Sequence, residues 1–481
     1  MREKLLALFL VVSSSALFNC KAQFTVLHYF QDTGKAGNAD GRGPLGINLI
    51  ISGNVMYGMT SAGGSNNWGN IFSIDTNGSG YKDLWDFDDT NGINGETPES
   101  SLTLSGSVLY GNTGGGGRNG VGMIFSINTN GTGYKDLYDF SSSGNNPDKP
   151  VSALVLLSGK LFGMTNSGGV NANGVIFSIN TNGSSFQDIF DLVNGLPGVN
   201  GLTPSVSGNQ LFGLIDDGGP NYSAGSIFSI SVSGSRYNEF FDFNGNSNGA
   251  LPEATPLLLG GKIYGMTNGA GANNEGCIFS IDTNGANFRD LFDFTATSGN
   301  YPESGLISSG RFLYGMTSEG GTGSSGTIFS IDTNGSQFRI MYNFNGTQGA
   351  NPWGELTLSG KFLYGMTQNG GVGNNGVIFR IDTGAIASFI NLTRTNRAIN
   401  VYPNPGEGLF NLQLNNLPIN PYGETVEVFN ISGVKIYSKQ FFTTGEQFQI
   451  NLSGQPNGVY LYSVQNVNGG LIGEGKLIIL K

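Results

Sequence analysis

Ile328-Phe329-Ser330-Ile331-Asp332-Thr333-Asn334-Gly335 is the stretch that decides how this chain folds. Its first four residues recur with starts at Ile71, Ile124, Ile176, Ile227 and Ile278, and a seventh copy reads Ile378-Phe379-Arg380-Ile381. The starts are separated by 50 residues (328 to 378) to 53 residues (71 to 124). A fixed period of this length marks a repeat architecture, in which each unit buries its apolar face only against its neighbours. Positions the units share should carry the fold. Positions where one unit departs are where function is to be sought.

Reading outward from the sixth copy gives a whole unit. Residues 302–310 read as a first strand ending in a turn, and 311–317 (RFLYGMT) as a second. Residues 318–326 form a glycine-rich loop, 327–332 a third strand and 338–344 (FRIMYNF) a fourth. Asn334-Gly335 between the last two is a strong hairpin signal, because both central residues of such a turn need positive φ. It recurs at Asn77-Gly78, Asn130-Gly131, Asn182-Gly183 and Asn284-Gly285. The glycine inside Tyr314-Gly315-Met316-Thr317, repeated at Tyr57, Tyr264 and Tyr364, reads as a point of close backbone approach. Four antiparallel strands in each of seven units predict an all-β, seven-bladed β-propeller over residues 23–383, with a solenoid, whose repeats are usually shorter, as the alternative. Leu27-His28-Tyr29-Phe30 matches a fourth strand but precedes the first full unit. It is expected to complete the seventh blade and close the ring, with 388–392 as the alternative.

Composition limits the chemistry. The chain has 481 residues, 79 Gly, 33 Phe and a net charge of −11. That charge argues against nucleic acid and against an anionic membrane surface. Arg2, Lys4 and the apolar run 5–12 read as a secretory signal ending at Ala22, with a lipoprotein reading of Cys20 as the alternative. No other stretch could span a bilayer. Removal of the signal leaves Cys277 without a disulfide partner, and it reads as an ordinary strand residue.

The unit "LYGMT…GG…G-IFSI-DTNG" is kelch-like in outline and more closely resembles the GloVer tandem repeats of secreted bacterial proteins, over residues 27–392. No biochemical activity follows from that resemblance. After a linker at 384–399, residues 400–481 change character and read as a small β-sandwich. Tyr402-Pro403-Asn404-Pro405, the strand leading to Gly433, Gly458 and Tyr460, and the terminal Gly475-Lys476 resemble the C-terminal sorting domain of the type IX secretion system of Bacteroidota. The resemblance implies export by that machinery, which is then an expected partner, to the cell surface or medium.

His28 is the only histidine, so Ser-His-Asp, Cys-His and His-based metal chemistry are disfavoured. No cofactor or metal is expected, and the protein reads as a monomer. The paired glycines, such as Gly320-Gly321, read as turns. Asp86, Asp139, Asp191, Asp242 and Asp293 in the fourth strands read as residues alternating outward, with a calcium ring as the functional rival. The long second-to-third and fourth-to-first connections should share one face, where binding residues concentrate. Trp68, Trp353, Tyr222, Tyr301, Asp216, Asp217 and Arg118 fall in them. Glu99, Glu253 and Glu303, each after a proline, should ring the channel mouth. These residues suggest non-enzymatic binding of a glycan or surface protein. A glycosidase or lyase using the three glutamates and a structural surface or matrix protein are the alternatives.

Overall fold

The computed structural model describes residues 23–31, 40–88, 94–150, 152–193, 201–205, 208–217, 224–383, 399–414, 424–430, 435–441, 448–466 and 471–481. The expected signal, segment 388–392, nearly all of the expected linker, Tyr222 and Gly433 lie outside them. The chain divides into two compact units, Met1–Ala385 and Ile386–Lys481. No helix among the described residues is long and apolar enough to cross a membrane.

In the first unit, seven antiparallel sheets follow one another, each built on four strands, the third with one more short strand at Asp148–Pro150. In the sixth repeat the order is Ile307–Ser309, Phe312–Thr317, Thr327–Asp332 and Arg339–Asn343. The third strand has the expected bounds. The first is much shorter than 302–310, because the Ser304 hydroxyl donates to the Met316 carbonyl and accepts from the Met316 N–H, both at 3.2 Å. A side chain thus takes the place of a ladder residue and frees the preceding backbone to turn inward.

The ring closes as the orphan strand predicts. Phe24–Tyr29 pairs antiparallel with Val377–Asp382, from Phe24 opposite Ile381 to Tyr29 opposite Val377. The Thr357 hydroxyl donates to the Leu49 carbonyl, and Arg380 Nη1 donates to the Thr76 carbonyl at 3.3 Å. Arg380 is the residue that breaks the Ile-Phe-Ser-Ile series, and here it ties the last sheet to the first.

Aromatic rings fill the seams between sheets. The phenylalanine ending a fourth strand meets the Ile-Phe-Ser-Ile phenylalanine of the next sheet edge-on. Phe87 and Phe125 are 5.5 Å apart, Phe294 and Phe329 5.3 Å, and Phe344 and Phe379 5.4 Å. Phe30 and Phe72, at 5.6 Å, make the same contact across the closure. A second set of rings stacks nearby, as with Phe292 on Phe338 at 3.8 Å. His28 on Tyr81 at 4.1 Å belongs to this set. Such pairs contribute about 0.5–1.5 kcal/mol each beyond their buried area.

The strand-two glycine is the seat of this packing. A Cβ on Gly315 would lie 2.7 Å from Phe329 Cζ and 3.0 Å from Leu306 Cδ2. Gly315→Ala should therefore cost about 1–3 kcal/mol through overpacking. An unchanged urea midpoint in this variant would refute the close-approach reading.

The second unit holds a three-stranded sheet, Ile399–Tyr402, Leu409–Leu414 and Phe448–Asn451. Its partner sheet runs Lys435–Phe441, Glu424–Asn430, Gly458–Asn466 and Leu471–Ile479. Phe410, Leu412 and Ile450 of one sheet share a core with Val426, Val428, Tyr460 and Leu477 of the other. The Asn404 side chain accepts from Ile478 N–H at 2.9 Å and donates to the Lys476 carbonyl at 2.6 Å, so it covers the free edge of the last strand. The Asn457 side chain accepts from Lys481 N–H at 2.9 Å and holds the chain end.

Candidate binding face

In every repeat but the fourth, the described residues of the two long loops are stitched together. Gly41–Arg42 pairs with Ala62–Gly63, and Gly95–Glu96 with Gly115–Gly116. Single bridges link Ala250 to Gly269, Asn300 to Glu319 and Ala350 to Asn369. Both connections therefore lie on one side, as expected, and form a collar that is ordered by its own backbone hydrogen bonds.

The paired glycines make the turn. Gly320 and Gly321 have φ of 75° and 74°, and a Cβ on Gly321 would lie 2.5 Å from Asn343 Oδ1. The fourth-strand carboxylates do not alternate idly outward. Asp139 accepts from Arg118 N–H at 2.7 Å and Asp293 from Ala272 N–H at 2.6 Å, with Asn343 serving Thr322 N–H at 2.9 Å. A left-handed turn leaves loop amides with no strand partner, and these side chains satisfy them. Among the described residues no group of three or more His, Cys, Asp or Glu is placed to hold a metal ion.

At the ring axis, Asn48, Glu253, Thr255, Glu303, Trp353 and Glu355 surround a cavity of about 30 Å³. That volume suits a water molecule and not a sugar ring. Glu355 reaches across it. Its Oε2 accepts from Asn48 Nδ2 at 3.1 Å, its N–H donates to Asn48 Oδ1, and Thr255 hydrogen-bonds the carboxyl. A Cβ on Gly305 would lie 2.1 Å from Glu355 Oε1. One side chain of the seventh unit thus touches the first, fifth and sixth. Burial pushes its carboxyl up to about 7, against the hydrogen bonds from Thr255 and Asn48.

Beside it, Asn268 Nδ2 donates to Glu303 Oε1 at 3.4 Å. Burial, then the charge of Glu253, pushes Glu303 up to about 8. Burial also raises Glu253, and burial followed by Glu253 pushes Asp216 up to about 7. Glu303 Oε2 and Asp216 Oδ1 are buried without a hydrogen-bond partner among the described residues. In the protonated form such carboxyls donate as well as accept.

A roomier groove of about 510 Å³ lies between loops of the seventh, first and second units. Glu99 lines it, while the two residues after it, Ser100 and Ser101, line the axial cavity. The first unit has Gly46 where the seventh has Trp353, and a Cβ there would lie 3.3 Å from the Glu99 carbonyl. The missing side chain leaves space on that side for the Glu99 segment.

The other expected residues are scattered over the same loops. Trp68 is 38% and Tyr301 40% exposed. The Trp68 carbonyl accepts from Thr97 N–H at 3.1 Å, and Thr97 lines the groove. Trp353 lines the axial cavity. Asp217 is exposed beside half-buried Asp216. Arg118 is drawn toward Asp139, with Nε 3.6 Å from Oδ2. His28 bonds Asp40 at 3.0 Å, and Cys277 is buried in its strand with its thiol pushed up to about 12 by burial. Sequence reasoning missed Glu355 and Asn48, although repeat alignment offered the signal. The positions matching Glu355 hold Asn48, Ser101, Ala153, Gly201, Thr255 and Gly305, so only one is acidic.

A family profile described as "Gloeobacter/Verrucomicrobia repeat" matches residues 13–221 and 199–418. The chain belongs to this repeat family. In this repeat protein residues 400–480 match the "Secretion system C-terminal sorting domain". It is therefore a β-repeat protein sent to the cell surface by a type IX sorting tail. No relative is found among curated proteins. Among solved structures it is similar to the extracellular domain of a one component system from B. thetaiotaomicron, at 14% identity and a TM-score of 0.48, over 95% of this chain and 59% of that one. It is also similar to an oligogalacturonate lyase from Vibrio parahaemolyticus, at 10% identity and a TM-score of 0.47, over 75% of this chain and 97% of that one. The repeat protein thus spans 59% of the length of the first of these.

Proposed function

We propose that this repeat protein is a non-enzymatic glycan-binding protein of the cell surface. The observation that carries the reading is the composition of one rigid face. Exposed Trp68 and Tyr301 share it with Glu99 and the amide side chains of Gln368, Asn369, Asn374 and Asn375. Aromatic rings offer flat apolar faces to sugar rings, and carboxyls and amides bond their hydroxyls. Catalysis is the weaker reading. Glu253 and Glu303 stand at equivalent positions of neighbouring repeats, and the axial cavity of about 30 Å³ keeps a sugar from Glu355.

A glycan array probed with the full chain tests this, with a reducing-sugar assay on every glycan retained. Retention of at least one glycan without release of reducing ends is the expected result. An array on which nothing is retained overturns glycan binding. Turnover that disappears in Glu303→Gln overturns the non-enzymatic reading.

A further inference from the structure

The groove between the seventh, first and second units is the strongest unassigned feature of the molecule. We propose that it is the glycan site and that it takes an uncharged oligosaccharide, an inference that rests on the glycan-binding reading above.

Size is the first argument. About 510 Å³ falls within the roughly 300–1,000 Å³ typical of small-molecule sites, whereas the axial cavity holds about 30 Å³. Chemistry is the second. The walls carry Gln368, Asn369, Asn374 and Asn375 with Glu99 and Arg42, and Leu45 is their largest apolar side chain. An amide both donates and accepts, as a sugar hydroxyl does. The Asn375 side chain, the Gln368 amide nitrogen and the Glu99 carboxyl make no hydrogen bond to other described residues, which leaves them for a ligand. Burial raises the Glu99 carboxyl. Arg42 donates to Asn67 Oδ1 at 2.9 Å, and with a net charge of −11 on the chain an anionic sugar gains little here.

Preorganisation is the third argument. The Ser61 hydroxyl accepts from Leu45 N–H at 3.0 Å and donates to the Gly43 carbonyl at 2.7 Å. Gly43 N–H donates to the Asn375 carbonyl at 3.0 Å, and Gly370 N–H to Asn374 Oδ1 at 2.8 Å. Loops fixed before binding lose little freedom on binding. Repeat symmetry is also broken here. Gln368-Asn369 matches Ser61-Ala62, Gly114-Gly115, Asn268-Gly269 and Ser318-Glu319 in other units, so the paired amides belong to the seventh.

Calorimetric titration of the full chain with laminaritriose, maltotriose, xylotriose and the anionic trigalacturonate tests the site. At least one neutral trisaccharide should bind. Gln368→Ala and Asn375→Ala should each weaken it tenfold or more at an unchanged melting temperature, and Trp353→Ala should leave it within twofold. Binding that survives both groove substitutions but is lost in Trp353→Ala overturns the location and leaves glycan binding intact. Preference for trigalacturonate overturns the ligand class. Failure of every neutral trisaccharide, together with an empty array, removes both readings; failure here with a neutral glycan retained on the array and unaffected by the groove substitutions removes only this one.

Discussion

Phe30→Ala should destabilise the repeat ring by about 3–5 kcal/mol, the range for emptying a fully buried phenylalanine site. Phe30 has no exposed surface. It packs edge-on against Phe72 at 5.6 Å and 68°, and against His28 at 5.4 Å. Its N–H donates to the Gly376 carbonyl at 3.2 Å. Phe294→Ala is the matched control, since Phe294 is equally buried and meets Phe329 at 5.3 Å and 65°. The two should cost similar packing energy but differ in what they release. Phe24–Tyr29 lies at the edge of its sheet, and Phe30 anchors its end across the seam. Amides of Val377–Asp382 should therefore exchange faster with solvent in Phe30→Ala and stay protected in Phe294→Ala. Equal protection in both variants would show that the N-terminal strand does not close the ring.

Glu355→Gln should raise stability at pH 8 by about 1–3 kcal/mol and change it little at about pH 4. The carboxyl titrates at its ordinary 4.5 in the unfolded chain and at about 7 in the folded one. Between those values the folded state binds more protons than the unfolded state, so stability falls as pH rises through the window. Glutamine resembles the protonated form and can keep the contacts to Asn48 and Thr255. Subtracting wild-type from variant unfolding free energies at several pH values isolates Glu355 from Glu303 and Asp216, which shift in the same direction. A difference that does not grow with pH would remove Glu355 from the enclosed axis.

Departures from the repeat proved informative in a different way from the one expected. His28, Arg380 and the Asn48–Glu355 pair all break the pattern, and all lie where the last unit meets the first. Much of the asymmetry therefore serves closure. The amide pair Gln368-Asn369 borders the same seam and is the departure that opens onto a groove. The three Pro-Glu positions look equivalent in sequence, yet Glu99 lines the groove while Glu253 and Glu303 line the axial cavity.

The sequence by itself determined what local rules encode: the strand order within a unit, the Asn-Gly hairpins, the glycine seat for the repeated phenylalanine, the orphan first strand and the sorting tail. Each depends on residues close in the chain or on a repeated spacing, and backbone sterics and periodicity make those legible. Tertiary structure alone decided which side chains meet at the axis and which line the groove. Glu355 and Asn48 are 307 positions apart and come into contact only when the ring closes. Glu355 acquires its raised pKa only from the burial that closure creates.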